Sequence, residues 1–198
     1  MSDVRTGILL LVSGPSGSGK TTLCRRLAKE GHASYARSCT TRPMRPGEVD
    51  GHDYFFLSRE DFLARVEAGD FIEYAEVHAN LYGTLKSEVL KHLSAGTDVV
   101  LDIDVQGAAL VRACEDPVIR AALVDLFVMP PTQEELLARL SGRGTDSQEV
   151  IDLRMKNALE EIAHAPHYSY QLLSGSHEED YTRFVSLLVA SRMATRRQ

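Results

Sequence analysis

Residues 14 to 21 read Gly14-Pro15-Ser16-Gly17-Ser18-Gly19-Lys20-Thr21 and fit the pattern G-x-x-x-x-G-K-[ST] at every position. The apolar run Ile8 to Val12 before the octet predicts a buried strand, and the composition of Thr22 to Glu30 after it predicts a helix. This order of strand, loop and helix is the context of a P-loop, in which backbone N–H groups at a helix N-terminus converge on phosphate oxygens. An ordinary turn rich in Gly and Ser has no need of Lys-Thr at the start of the next helix. The octet therefore predicts a site for a phosphate-bearing nucleotide.

Two side chains of the octet add chemistry to its backbone. Lys20 can place its positive charge on the β- and γ-phosphates, and the Thr21 hydroxyl can ligate the Mg²⁺ that accompanies them. Cys24, on the same predicted helix, is expected to be a small core residue and not a reactive thiol.

Composition limits the class of protein. A chain of 198 residues, 43% apolar and 25% charged, is expected to form one globular domain, and a net charge of −6 argues against nucleic-acid binding through a general basic surface. The cysteines are odd in number and lack the spacing of a metal site, so we expect a reduced, cytoplasmic setting. The N-terminal apolar run is too short for a signal peptide core or a membrane span. We therefore expect small-molecule substrates, neither nucleic acid nor membrane as a partner, and a monomer or homodimer.

Apolar runs alternate with helical stretches along most of the chain. Strands are predicted at Ile8 to Val12, Val99 to Ile103, Leu123 to Met129 and Tyr170 to Leu173. Helices are predicted to start at Ser58 to Asp61 and Thr132 to Glu135, and to cover Ser147 to Ala165 and Glu178 to Met193. The alternation predicts an α/β fold with a mostly parallel central sheet between helical layers.

The segment from Arg37 to Leu90 breaks this rhythm. It is rich in Gly, Pro and aromatic residues and has short strand-like pieces at Asp53 to Phe56, Phe71 to Val77 and Leu81 to Gly83. We interpret residues 37–90 as a small mixed β insertion into a core formed by residues 1–36 and 91–198. Such a lobe beside a P-loop can hold a second substrate.

Arg37, Arg42 and Arg45 lie close together at the start of the insertion, and Tyr54 and Tyr82 follow in the same lobe. Guanidinium groups bind phosphate oxygens in pairs and phenols add neutral donors, so the set suits a phosphomonoester. Taken alone, the arginines would more often form a solvated basic loop.

Six ordered stretches resemble the guanylate kinases, P-loop enzymes that move the γ-phosphate of ATP onto GMP. They are Ser38-Cys39-Thr40-Thr41-Arg42-Pro43-Met44-Arg45-Pro46-Gly47-Glu48, Gly51-His52-Asp53-Tyr54-Phe55-Phe56, Phe71-Ile72-Glu73-Tyr74-Ala75, Tyr82-Gly83-Thr84, Asp102-Ile103-Asp104-Val105-Gln106-Gly107 and Gly142-Arg143-Gly144-Thr145. The resemblance implies a P-loop NTPase fold of three α/β/α layers, a GMP-binding insertion, a short helical lid at about 137–154, and a single domain over about 5–190.

The resemblance also implies roles for residues. ATP would be held by residues 14–22, that is Gly14, Pro15, Ser16, Gly17, Ser18, Gly19, Lys20, Thr21 and Thr22, with Mg²⁺ as cofactor at Thr21. Residues similar to Arg42, Arg45, Tyr54 and Tyr82 hold the GMP phosphate, and those matching Ser38, Glu73 and Thr84 read the base. A carboxylate at Glu73 can accept from guanine N1-H and N2-H, whereas adenine would present the lone pair of N1 to it.

Further acids and arginines are expected near the transferred phosphate. Asp102 and Asp104 follow a predicted strand at i and i+2, which would point both to the ligand crevice, near Mg²⁺, its waters or the GMP ribose. Lys20, Arg42, Arg139, Arg143 and Arg154 are the expected catalytic residues, the last three by reaching over the phosphates from the lid. Arg139 or Arg154 could instead be helix-surface residues.

The chain departs from the family after its last predicted strand. Guanylate kinases commonly have an Asn-Asp pair there that helps to hold adenine, but this chain has Ser174-Gly175-Ser176-His177. His177 is expected to be an exposed loop residue without a role. Two other functions fit part of the pattern: an inactive guanylate-kinase-like interaction module, which typically has a damaged P-loop, and a P-loop kinase for another phosphorylated small molecule, which would not explain Ser38, Glu73 and Thr84.

Overall fold

The computed structural model describes residues 5–77, 79–141 and 147–194. The strands are β1 (Leu9–Ser13), β2 (Ser34–Tyr35), β3 (Ser38–Thr40), β4 (Phe55–Phe56), β5 (Phe71–Val77), β6 (Asn80–Leu85), β7 (Val99–Asp102), β8 (Leu123–Met129) and β9 (Tyr170–Leu173). The helices are α1 (Lys20–Lys29), α2 (Arg59–Glu67), α3 (Lys86–Ser94), α4 (Val105–Ala113), α5 (Pro117–Ala122), α6 (Gln133–Ser141), α7 (Gln148–Ile162) and α8 (His177–Arg192), with a 3₁₀ turn at Ala165–His167.

The larger sheet has five parallel strands in the order β2-β7-β1-β8-β9. Alternate residues of β1 enter different cores: Leu9 and Leu11 pack with α3, α4 and α5, while Leu10 and Val12 pack with α1 and α8. Because both faces are covered by helices, the central strands are continuous apolar runs. The predicted three-layer α/β/α fold with a mostly parallel sheet is confirmed.

The second sheet is mixed, with the order β4-β3-β6-β5. It packs against α2 through a small core in which Phe62 stacks on Phe71 with ring centroids 4.4 Å apart. A register shift between Phe71 and Glu73 turns Ile72 into the core of the larger sheet. This irregularity in β5 connects the two sheets, since a bulge re-aims the side chains that follow it. The return to the central layers is made by α3, whose Val89 and Leu93 belong to the core of the larger sheet.

The predicted helix starts are confirmed. Ser58 caps α2 by accepting from the Asp61 N–H, and Thr132 accepts from the Glu135 N–H at the start of α6. The long helix predicted from Ser147 ends at Ile162, and Pro166 lies in the 3₁₀ turn after it.

One local prediction is wrong. β7 ends at Asp102, so Asp104 does not share a strand face with it. Asp104 instead caps α4, and its carboxylate accepts from the Gly107 N–H at 2.8 Å. The cause is the polar side chain itself, because an aspartate that caps a helix satisfies a backbone donor that a strand residue would leave unpaired.

Candidate active site

The octet forms the connection from β1 to α1 at the carboxyl end of the larger sheet. At Gly14 the backbone passes so close to β8 that a Cβ would lie 2.4 Å from the Val128 carbonyl oxygen. Gly19 caps α1 with φ 92°, a left-handed conformation that favours glycine. These two glycines allow the loop conformation in which backbone N–H groups can converge on an anion.

Lys20 and Thr21 are the first residues of α1. The Thr21 hydroxyl donates to Asp102 Oδ2 at 2.6 Å, and the Tyr35 hydroxyl contacts the same oxygen at 3.4 Å. Asp102, at the end of β7, is thereby held against the start of α1. Because the Thr21 proton points to Asp102, the lone pairs of its oxygen remain available to a cation. Sequence analysis missed Tyr35, which lies in a two-residue strand too short to show a pattern.

Two of the three lid arginines can be described. Arg139, on α6, donates to Ser174 Oγ at 3.2 Å, contacts the Gly17 carbonyl oxygen at 3.5 Å and pairs with Glu135 at 2.5 Å. Arg154, on α7, contacts Ser16 Oγ at 3.3 Å. Both arginines therefore reach the P-loop from the helices expected to form the lid, and neither is only a surface residue. Arg143 and the stretch Gly142-Arg143-Gly144-Thr145 lie outside the described residues.

Three polar side chains that sequence analysis assigned to the base lie side by side on the second sheet. Thr84 on β6 pairs with Ser38 on β3 in the strand register, and with Glu73 on β5 on its other side. The Ser38 and Thr84 hydroxyl oxygens are 3.2 Å apart. Strand pairing, which brings residues 46 positions apart into contact, is what assembles this group.

Glu73 is buried, with 7% of its surface exposed. Burial raises the pKa of its carboxyl to about 7, the nearby Asp104 carboxylate adds to the rise, and hydrogen bonds from Thr84 oppose it. Glu73 Oε2 also lies close to α4, since a Cβ on Gly107 would be 3.3 Å from it. Burial thus destabilises the ionised form of Glu73, and a ligand with two N–H donors would stabilise it.

The expected phosphate-binding residues also come together, around an ion pair. Arg42 donates to both carboxylate oxygens of Glu48, at 2.8 and 2.9 Å, and its guanidinium lies 5.4 Å from the Tyr54 ring centroid. The Tyr54 and Tyr82 rings are in edge contact, with centroids 6.2 Å apart. The pKa of Glu48 falls to about 2 because Arg42 and the Arg45 backbone N–H both stabilise its charge.

Glu48 was missed by the sequence analysis, although its spacing from Arg42 across a Pro- and Gly-rich turn was a usable signal. Arg45 is exposed, and its side chain has no hydrogen bond or ion pair within the described ranges. Arg37 lies apart from this group, because it pairs with Glu88 on α3 at 3.1 Å and donates to the Gly51 carbonyl oxygen.

The arrangement matches a known family. The family model described as Guanylate kinase covers residues 6–191. The chain belongs to the guanylate kinase family. Its activity is accordingly that of an ATP:GMP phosphotransferase, a nucleoside monophosphate kinase.

Individual relatives agree with this assignment. A guanylate kinase of Hahella chejuensis is 45% identical over 94% of this chain and 88% of its own length. One of Novosphingobium aromaticivorans is 43% identical over 98% and 86%. The crystal structure of guanylate kinase from Anaplasma phagocytophilum matches with a TM-score of 0.75 and 32% identity, over 98% of this chain and 90% of that one. Over the described ranges, no helix has both the length and the apolar character that crossing a bilayer requires.

Proposed function

We propose that this guanylate kinase binds ATP at the P-loop and GMP on the face of the second sheet that carries Glu73. The observation that carries the proposal is the order of side chains along β6. Tyr82 and Thr84 are two residues apart and share a face of the sheet, about 7 Å from each other. One end of this face carries the group expected to bind phosphate and the other carries the group expected to read the base, a spacing that suits a nucleoside monophosphate.

Glu73 selects guanine by charge and hydrogen-bond pattern. Ionised Glu73 accepts from guanine N1-H and N2-H, while the paired hydroxyls of Ser38 and Thr84 supply a donor beside it. Adenine would place the lone pair of its N1 against a buried carboxylate. An unpaired buried charge is penalised strongly enough to reject such an analogue by orders of magnitude.

Arg42, Arg45, Tyr54 and Tyr82 bind the GMP phosphate. The Arg42 guanidinium has a fixed orientation because Glu48 accepts hydrogen bonds from two of its N–H groups and the Tyr54 ring lies beneath it. Arg45, whose side chain has no partner among the described residues, is available to bind the phosphate. In this proposal one preorganised and one unpaired guanidinium bind the same anion.

The residues at the donor site fit Mg²⁺, because the Thr21 hydroxyl and the Asp102 carboxylate offer hard oxygen ligands at one point, directly or through water. When bound with ATP, Mg²⁺ neutralises charge on the β- and γ-phosphates. The Asp104 carboxylate accepts a hydrogen bond from the Gly107 N–H, and its role is to fix the start of α4 next to Glu73.

Transfer depends on position and charge and not on a general base. Lys20 holds the β- and γ-phosphates from the start of α1. Arg143 and Arg154 reach over the transferring group when the lid at about 137–154 closes. Arg154 already contacts Ser16 of the P-loop, and Arg139 lies beside the P-loop at the Gly17 carbonyl oxygen. We further place the reaction in the cytoplasm, in agreement with free Cys24, Cys39 and Cys114.

A coupled assay of ADP formation with ATP, Mg²⁺ and each nucleoside monophosphate tests the proposal. GMP should be turned over at least 100-fold more efficiently than AMP or UMP, and Lys20→Ala should lower kcat at least 100-fold while circular dichroism stays unchanged. Lys29→Ala, a change of the same type in the last turn of α1, should keep full activity. Equal turnover of AMP and GMP would remove Glu73 from the base site, and an active Lys20→Ala would remove the P-loop from the donor site.

A further inference from the structure

The stretch Ser174-Gly175-Ser176-His177 lies at the donor site. A cavity of about 400 Å³ beside the P-loop is lined by Gly17, Gly19, Lys20, Thr21, Thr22, Arg139 and His177. Lys20 and Thr21 belong to the triphosphate under the proposed function. Arg139 and His177 are therefore the lining residues available to contact the base of the donor.

The polar side chains of the loop from β9 to α8 are engaged by other groups of the protein. Ser174 Oγ donates to the buried Asp180 carboxylate at 3.0 Å, and the Gly175 N–H donates to both oxygens of Asp180 at 2.9 and 3.0 Å. Ser176 Oγ caps α8 by accepting from the Glu179 N–H at 3.4 Å. These groups are occupied by the protein itself, so the loop has little left with which to read the edge of a base.

Gly175 contributes no side chain, and packing does not require this. A Cβ there would have no neighbour nearer than Glu179 Oε2 at 3.8 Å, an ordinary contact. The backbone therefore tolerates a Cβ at this position, and the chain has no side chain there with which to contact a base.

Arg139 and His177 offer flat surfaces in place of edge contacts. The guanidinium of Arg139 is fixed from two sides by Glu135 and Ser174. The His177 imidazole is exposed and makes no hydrogen bond or ion pair with the rest of the described chain, so it can turn onto a bound ring. Guanidinium and imidazole planes both stack on bases, and stacking tolerates every base because each has a π-face.

We propose that His177 is a specificity-determining residue of the donor site, where its imidazole and the Arg139 guanidinium hold the donor base by its faces and leave the edge unread. The enzyme then accepts nucleoside triphosphates other than ATP as phosphoryl donors. Purine donors bind better than pyrimidine donors, because a larger ring stacks over more area. This inference rests on the proposed function, since it requires the triphosphate at the P-loop.

The test measures conversion of isotope-labelled GMP to labelled GDP with ATP, GTP, CTP and UTP as donors. We expect the kcat/KM values for ATP and GTP to agree within about tenfold, because no edge contact separates them. His177→Ala should raise KM for every donor about tenfold with little loss of kcat, the size expected for one stacked base. His177→Phe should restore KM, and His164→Ala, an exposed histidine away from the cavity, should leave it unchanged.

The outcomes separate this inference from the proposed function. Labelled GDP formed with ATP but at least 100-fold less efficiently with GTP would overturn the inference and leave the proposed function standing. An unchanged KM for every donor in His177→Ala would overturn the role of His177 and leave the proposed function standing. No labelled GDP with any donor would overturn both.

Discussion

Under the proposed function, the Glu73 carboxyl must ionise before it can accept hydrogen bonds from guanine, and its surroundings oppose ionisation. Burial and Asp104 raise its pKa to about 7. Below that pH the free enzyme carries a proton that GMP has to displace. We predict that KM for GMP rises about tenfold from pH 8 to pH 6 and levels off above pH 8.

A matched variant isolates this effect from the titration of the GMP phosphate, whose second pKa is about 6 for phosphomonoesters. Glu73→Gln keeps the phosphate titration and loses the carboxyl. Its KM for GMP should be higher at pH 8 and should change less between pH 6 and pH 8 than that of the unmodified enzyme. Parallel pH profiles for the two proteins would contradict a raised Glu73 pKa.

The same pKa has a consequence for stability. A carboxyl whose folded pKa lies above its unfolded value binds more protons in the folded state, so the free energy of unfolding falls as pH rises from about 4.5 to about 7. The difference amounts to about 3 kcal/mol above pH 7. Glu73→Gln should accordingly raise Tm at pH 8 and have a much smaller effect at pH 4, as measured by calorimetry without substrate. A carboxylate kept for selectivity thus costs stability in the free enzyme.

Under the proposed function, Glu48 acts on GMP through Arg42. In Glu48→Gln the amide oxygen can still accept one hydrogen bond from Arg42, but the amide NH2 replaces the second acceptor, so the two-point ion pair that orients the guanidinium is lost. We predict that Glu48→Gln raises KM for GMP about tenfold and leaves KM for ATP unchanged, because the P-loop is on the other sheet. Glu67→Gln, an exposed change at the end of α2, is the control. An equal rise for both substrates would indicate a general loss of structure and not a positioning role.

At the scale of secondary-structure elements, a local sequence pattern predicts some of the strands and not others. β1, β7 and β8 are predicted within a residue or two because they are continuous apolar runs buried on both faces. β2 and β3, with two and three residues, are too short for any period and exist because β7 and β6 pair with them. The side-by-side placement of Ser38, Thr84 and Glu73 likewise follows from strand register, which no local pattern specifies.

The first turn of α4 meets β5 at Gly107, and this contact joins the two sheets at the Glu73 carboxylate. A Cβ there would lie 3.3 Å from both Glu73 Oε2 and Ile103 Cδ1, closer than most real contacts. We predict that Gly107→Ala raises KM for GMP about tenfold while KM for ATP stays constant. Folding should not suffer from the helix itself, since Ala is favoured over Gly within a helix by roughly 0.5–1 kcal/mol. Unchanged GMP kinetics would show that the Glu73 side chain moves to accommodate the added methyl group without loss of GMP binding.

At the scale of the molecule, the fold could be expected from ordered motifs, and the placement of two substrates on two sheets is the proposal that the same motifs support. The contacts between distant segments could not be expected. Asp98, just before β7, is 2% exposed and connects three such segments. It accepts from the Ile8 N–H at 2.9 Å and pairs with Arg5 at 2.9 Å and with Arg192 of α8 at 2.7 Å. No sequence pattern near Asp98 indicates that its partners lie 90 or more positions away.

This ion cluster lies at the amino ends of β1 and β7, opposite the active site, so its loss should affect stability and not catalysis. Burial alone would raise the pKa of Asp98, but its hydrogen bonds with Arg5, Ile8 and Arg192 outweigh burial and lower it. A lowered folded pKa means that the stabilisation is present above the unfolded value of about 3.8 and is lost as pH falls further.

We predict that Asp98→Asn lowers the free energy of unfolding by about 2 kcal/mol at pH 7, a value reduced for the partial exposure of the arginines. The deficit should shrink in urea titrations below pH 4, while kcat and both KM values at pH 7 stay unchanged. Asp70→Asn, which breaks an exposed pair with Arg65, should cost less than about 0.5 kcal/mol at either pH. A deficit for Asp98→Asn that is equal at pH 7 and pH 3 would mean that side-chain packing, and not charge, holds these segments together.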